Sequence, residues 1–266
     1  MSGLDVWVDG VGLWSSQLAD FAALREVLAG RPPQPPQPPP RRPAAATLPA
    51  NERRRAPESV LLAVEVAGQA VAMSGQDAAG VACVFASSHG DQAITDYMCA
   101  TLAQVPTELS PIRFHNSVHN AAVGYWTIAT GCHAPSTAIA AQRASFGAGL
   151  LEAASQVCSE QRPVLLVCSD YLGNGPLLEV TACTQPFGCA LLLMPTRSPR
   201  SLARLRLTLT TTAASSTLDE PLASWRQANP SATALPLLAR LAQGDGSCHI
   251  AAAAQLGLQI DMESVA

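Results

Sequence analysis

The chain has 266 residues, of which 48% are apolar and 14% charged, and its formal net charge is −4 at neutral pH. That apolar share supplies a packed core and excludes a mostly disordered chain, while the mild acidity argues against nucleic-acid binding, which normally requires a basic face. All sixteen basic residues are arginine, which excludes Schiff-base lysine chemistry and a phosphate-binding loop built on lysine.

No apolar run is long enough to span a membrane, and the opening MSGLDVWVDG lacks the basic and long apolar stretches of a secretory signal, so a cytoplasmic protein is expected. Of the eight cysteines (Cys83, Cys99, Cys132, Cys158, Cys168, Cys183, Cys189 and Cys248), none forms a CxxC pair. Several sit inside apolar runs such as VACVFA and VLLVCSD, the pattern of buried free thiols in a reducing compartment rather than of a disulfide framework.

Residues 4–8 read as a short strand ending at Asp9–Gly10. Ser15 or Ser16 is expected to cap a helix running to about Leu28, with Leu18, Phe21, Ala22 and Leu28 on one apolar stripe. Residues 31–43 hold eight prolines in thirteen positions and read as an extended surface loop, with recruitment of a partner by that segment as a weaker alternative. A long helix is expected over roughly 51–73, and a buried strand over 80–87. A helix near 92–104 follows, and a further one starts at Ser110–Pro111 and runs to about Ala122. Strands are expected at 135–141, 163–169, 188–194 and 203–210, with a helix over 145–159; the last sixty residues read as mostly helical, with a short strand near 256–261. Strands alternating with helices imply a layered α/β fold.

Four features carry possible chemistry. His115 and His119 stand four apart, so on one helix they would share a face, but Asn116 occupies the place of the glutamate that a metal-dependent hydrolase needs, and no third ligand is evident; no metal is expected. Cys132–His133, in GCHAP, reads as a surface-loop cysteine, since adjacent residues rarely form a catalytic dyad. Gly173–Asn174–Gly175 reads as a turn with no clear helix after it. Gly147 and Gly149 near a helix start would let a sheet, a partner subunit or a ligand come close.

In order, VFASSHGD, SPIRFHNSVHNAAVGYWTIATG, APSTAIAAQRASFGAGLLEAA and PVLLVCSD resemble the N-terminal half of a β-ketoacyl synthase. They are most similar to the short synthase-like chain-length factors of aryl polyene pathways. The resemblance covers about residues 1–195 and is strongest over 80–170. It implies half of a thiolase-like α/β fold, a mixed sheet of about five strands between helical layers, within a single domain over 1–266 that carries a divergent extension at 196–266.

In active synthases a cysteine nucleophile ends the strand before a small-residue helix. The matching position here is Arg143, or Gln142 one residue earlier, and neither forms a thioester. Motifs for the family's two catalytic histidines are not found after residue 195; His249, in SCHIAAAA, does not match them. The resemblance therefore implies a non-catalytic subunit without cofactor. Its partner would be a complete β-ketoacyl synthase, and through that complex it would meet an acyl carrier protein bearing a phosphopantetheine-bound chain. It further implies that Ser136, Thr137, Ala138, Ile139, Ala140 and Ala141 pair across a two-fold interface. Phe114, His115, Val118 and His119 would line the partner's acyl tunnel. A cysteine-dependent acyltransferase or thioesterase using Cys132 is the alternative reading.

Overall fold

In the computed structural model, residues 3–31, 42–212 and 214–265 are described. The proline-rich segment expected at 31–43 lies for the most part outside them. Among the described residues no helix is long and apolar enough to cross a membrane.

The elements, in chain order, are β1 (Leu4–Ser15), α1 (Phe21–Leu28), α2 (Ala50–Arg55), α3 (Glu58–Ser74), β2 (Ala82–Ala86), α4 (Gln92–Gln104), α5 (Pro111–Asn116), α6 (Ala121–Thr130), β3 (Ser136–Ile139), α7 (Ser145–Glu160), β4 (Val164–Asp170), α8 (Gly175–Thr181), β5 (Phe187–Met194), β6 (Ala203–Thr210), α9 (Leu222–Ala228), α10 (Leu235–Gln243), β7 (Gly246–Ala253) and β8 (Leu256–Ser264). Among the described residues the strands form one mixed sheet in the order β3-β2-β4-β5-β1-β6-β8-β7, eight strands rather than about five. β3, β2 and β4 run parallel, and the other neighbours are antiparallel. Each face of the sheet carries a core. On one, α7, α1 and α10 bring Phe146, Leu24 and Leu238 onto the sheet; on the other, α3 and α6 bring Leu61, Val64 and Trp126.

β1 does not stop at Asp9–Gly10. Asp9 is fully buried, and its carboxylate accepts from Ser198 Oγ at 2.5 Å and Ser201 Oγ at 2.7 Å, so a residue that reads as turn chemistry sits inside a strand. Gly10 lets α3 lie close, since a Cβ there would be 2.0 Å from Ala70 O. The extension of β1 to Ser15 shifts the first helix start to Asp20, whose Oδ1 accepts from Ala23 N. Leu18, Phe21 and Leu24 are buried there, while Ala22, expected on the apolar stripe, is exposed.

The helix expected over 51–73 is two. Pro57 disfavours helical backbone at Ala56, whose ψ of 138° is extended, and α3 restarts after it. The helix expected from Ser110 to Ala122 is also two: α5 closes at Asn116, where Ser117 N and Oγ both donate to Phe114 O. Gly173–Gly175 leads directly into α8, with Pro176 in its first turn.

The last sixty residues are not mostly helical. In β7 and β8, Cys248, Ile250, Leu258, Ile260 and Met262 alternate toward the core, and that period of two decides for strand over the helical preference of alanine. Gly147 resolves the glycine pair of α7: a Cβ there would lie 2.0 Å from Ala251 O, so the close approach is to β7 of the same chain.

Candidate functional site

The carboxyl ends of the parallel strands converge, the place where open α/β sheets present their ligand-binding loops. Asp170, the last residue of β4, is buried there. Its Oδ1 accepts from Ser87 Oγ at 2.8 Å, Ser88 N at 2.9 Å and Ser88 Oγ at 2.7 Å, and its Oδ2 accepts from Ser231 Oγ at 2.5 Å. Burial pushes the Asp170 carboxyl up, and the hydroxyl and amide donors of Ser231, Ser88 and Ser87 partly oppose this. Burial likewise raises the Cys168 thiol, which lies 3.2 Å from the same Ser231 hydroxyl.

Beside this cluster, the chain leaves β3 and turns into α7. Gln142 takes the left-handed conformation, with φ of 50°. The turn is held by Ser145, whose Oγ accepts from Ala141 N at 2.9 Å and donates to Gln142 O at 2.7 Å. Arg143 reaches across to α9 and donates to Arg226 O at 2.7 Å. At this turn the exposed side chains are therefore a carboxamide and a guanidinium, neither of them a nucleophile.

Cys132 is buried, not a surface-loop cysteine, and its Sγ lies 3.3 Å from Val81 O. Close by, burial and then the Cys132 sulfur raise the Cys83 thiol to about 12. His133, the next residue, is exposed.

β3 is the edge strand of the sheet. Its four residues, Ser136, Thr137, Ala138 and Ile139, alternate exposed and half-buried, and among the described residues only β2 pairs with it. The expected strand is shorter at its end, because Ala140 and Ala141 have left the ladder to lead into the turn. Along the same end of the molecule, α5 and the turn after it expose apolar surface. Phe114 is 57% and Val118 51% exposed, and Ile128 on α6 is 84% exposed. His115 and Val118, with Tyr125 and Ile128, line an apolar cleft of about 380 Å³. His115 and His119 do not share one helical face, because α5 ends between them; His119 Nε2 lies 3.4 Å from Ser87 O. No cluster of metal-ligating side chains occurs among the described residues.

The structure thus brings His119, through Ser87, to the end of β3: Ser87 N donates to Ile139 O at 3.1 Å. What sequence reasoning missed is the contribution of the C-terminal segment, Ser231 and Asn229. Asn229 donates to Asp170 O at 2.9 Å and accepts from Ser231 N at 2.7 Å. The one available signal was a carboxylate closing the apolar run VLLVCSD, which demands buried donors from elsewhere.

A mixed sheet between helical layers, with a sharp left-handed turn from its edge strand into a small-residue helix, defines a thiolase-like, ketosynthase-type domain. The family model described as beta-ketoacyl synthase, N-terminal domain, matches residues 29–256. The chain belongs to the β-ketoacyl synthase N-terminal domain family. A comparison with curated protein sequences finds no match.

Among solved structures, the fold is similar to a chain of the ketosynthase ApeO in complex with its chain length factor ApeC from Xenorhabdus doucetiae, with TM-score 0.72, 23% identity and coverage of 97% of this chain and 99% of that one. It is also similar to a chain of the ishigamide ketosynthase/chain length factor, with TM-score 0.72, 13% identity and coverage of 99% and 100%. A ketosynthase of the bacillaene polyketide synthase from Bacillus amyloliquefaciens is matched with TM-score 0.55 and 12% identity, over 80% of this chain but 46% of that one.

Proposed function

We propose that this chain is a non-catalytic, chain-length-factor-type subunit. It pairs through the β3 edge with a complete β-ketoacyl synthase and shapes the acyl tunnel of that partner, in a polyene pathway of the aryl polyene kind. The observation that carries this reading is the open edge of β3 running straight into a turn that presents Gln142 and Arg143 where condensation would require a thiol. We place the match to the nucleophile at Gln142, because the left-handed residue marks the point where strand becomes helix.

Decarboxylative condensation needs a thiolate to carry the acyl chain and donors for the enolate of the malonyl thioester. At this turn the nearest side chains are a carboxamide, a guanidinium and a hydroxyl, and Ser145 Oγ is engaged with the backbone. Chains from ketosynthase/chain length factor complexes are among the solved structures with this fold, which supports such a pairing. Phe114, His115, Val118 and His119 would face the partner's tunnel, with the acyl carrier protein delivering its chain through the partner. A bulky side chain at the closed end stops growth because further advance would clash.

The test is co-expression with the complete synthase from the same pathway, followed by size-exclusion chromatography. A stable 1:1 complex that makes product only with both chains present is expected; a chain that stays apart from the synthase, or condenses malonyl thioesters alone, overturns the reading.

A further inference from the structure

Two thiols stand together where the link from α6 to β3 passes the start of β2. Cys83 Sγ and Cys132 Sγ each donate to Val81 O at 3.3 Å, so both sulfurs sit against one carbonyl oxygen, and Cys132 is within hydrogen-bonding range of Cys83. The ladder keeps them there: Cys83 pairs with Ser136 of β3, and its N–H donates to Pro135 O at 2.9 Å, a short step along the chain from Cys132. Their surroundings differ. Cys83 is fully buried inside β2, whereas Cys132 lies in the irregular link and is 6% exposed. Beside Cys83 is the buried indole of Trp126, whose Nε1 has no partner among the described residues. Burial, then the Cys132 sulfur, push the Cys83 thiol up to about 12, and the indole opposes them. A buried N–H without an acceptor is rare, and this one gains a strong acceptor when the Cys83 sulfur carries negative charge.

We infer that Cys83 and Cys132 form a reversible intramolecular disulfide when the chain meets a hydroperoxide. Cys132 is the thiol that reacts first, because its exposure admits a molecule of peroxide size, though not a bulky disulfide reagent, and the position of Cys83 admits neither. The Cys132 sulfur attacks one peroxide oxygen, the O–O bond breaks, and the thiol proton leaves with the other oxygen as an alcohol, or as water from hydrogen peroxide. Cys132 is then a sulfenic acid. The Cys83 sulfur next attacks the Cys132 sulfur: an S–S bond forms, the S–O bond breaks, and the hydroxyl leaves with the Cys83 proton as water. Two thiols are oxidised and one hydroperoxide is reduced. The Trp126 N–H stabilises the charge that develops on Cys83 as its proton departs. Bond formation brings the sulfurs to about 2.05 Å, and Cys132, which belongs to no helix or strand, is the residue that moves. The product fixes the entry to β3 covalently against β2, and a dithiol reductant reverses it.

The experiment treats the folded full chain with hydrogen peroxide, blocks the remaining thiols with N-ethylmaleimide, and reads a non-reducing digest by mass spectrometry. A peptide pair joining Cys83 to Cys132 is expected, and dithiothreitol should release it. Cys83→Ala removes the attacking thiol, so the Cys132 sulfenic acid should persist and be captured by dimedone about tenfold more than in the parent. If that variant fails to fold, Cys132→Ser, a change outside the strands, reads the order of events from the other side: peroxide should then leave Cys83 unmodified while Cys99 is oxidised. The proposal is overturned if Cys99 is oxidised with no Cys83–Cys132 link, or if the link forms only in unfolded chain. Equal dimedone capture in the parent and the folded Cys83→Ala variant, or oxidation of Cys83 in Cys132→Ser as fast as that of Cys99, also overturns it.

Discussion

Ser231 donates its hydroxyl to Asp170 Oδ2 at 2.5 Å across 61 residues of chain, tying the segment after α9 to the end of β4. Asp170 is buried, so the bond replaces water that the carboxylate no longer sees. Ser231→Ala removes one of its donors and is expected to cost about 1–3 kcal/mol in urea unfolding. Asp170→Asn should in addition change the pH dependence. Because the folded carboxyl is raised above its ordinary value of 3.8, its contribution is fully present below that value and is lost as pH rises through the folded one. The stability of the parent relative to Asp170→Asn should therefore fall as pH is increased from about 4, then level off; a difference independent of pH would contradict the raised carboxyl.

Much of the sheet was readable in advance because its inner strands announce themselves. PVLLVCS and GCALLLM are continuous apolar runs with breakers on either side, and β4 and β5 fall on them. Where reading failed, a distant partner decided. Asp9–Gly10 looks like punctuation until Ser198 and Ser201 are seen to satisfy the aspartate, and β7 looks helical until β8 pairs with it. The same holds for the site. The turn at Gln142 follows from a local motif, whereas the hydroxyl of Ser231 reaches Asp170 only through the tertiary fold.

Thiol accessibility separates a subunit from a cysteine enzyme. Cys99 is exposed and Cys158 half-buried; the other six are buried. Burial raises the thiols of Cys83, Cys183 and Cys248 to about 12, so at pH 8 they hold little reactive thiolate. Native labelling with a disulfide reagent is expected to modify Cys99 first, Cys158 more slowly, and the rest only on unfolding. Modification of Cys132 as fast as Cys99, located by peptide mass spectrometry, would revive the acyltransferase reading.

Tunnel depth should respond to α5 and the turn after it. Phe114 and Val118 are large, apolar and half or more exposed, so trimming either to alanine removes little of this chain's own packing. In the assembled synthase, Phe114→Ala or Val118→Ala is expected to lengthen the product, by one extension unit or more, with the complex intact on size-exclusion chromatography. Product mass spectra unchanged in both variants would take these residues out of the tunnel.

The β3 edge yields the sharpest test, because the ladder fixes which backbone groups face outward. Cys83 N donates to Pro135 O and Ser87 N donates to Ile139 O, so the odd-numbered residues of β3 turn their polar groups toward β2. By the alternation of a strand, Ser136 and Ala138 turn theirs away from the sheet. Ala138→Pro then deletes an outward N–H without touching a bond to β2, and proline is tolerated on an edge for that reason. The variant is expected to keep its circular dichroism spectrum and unfolding midpoint while the complex with the synthase weakens tenfold or more. Ala138→Ser, which retains the N–H, is expected to bind as the parent does. Normal assembly of Ala138→Pro would mean that pairing does not run through this strand, whatever the unfolding midpoint shows.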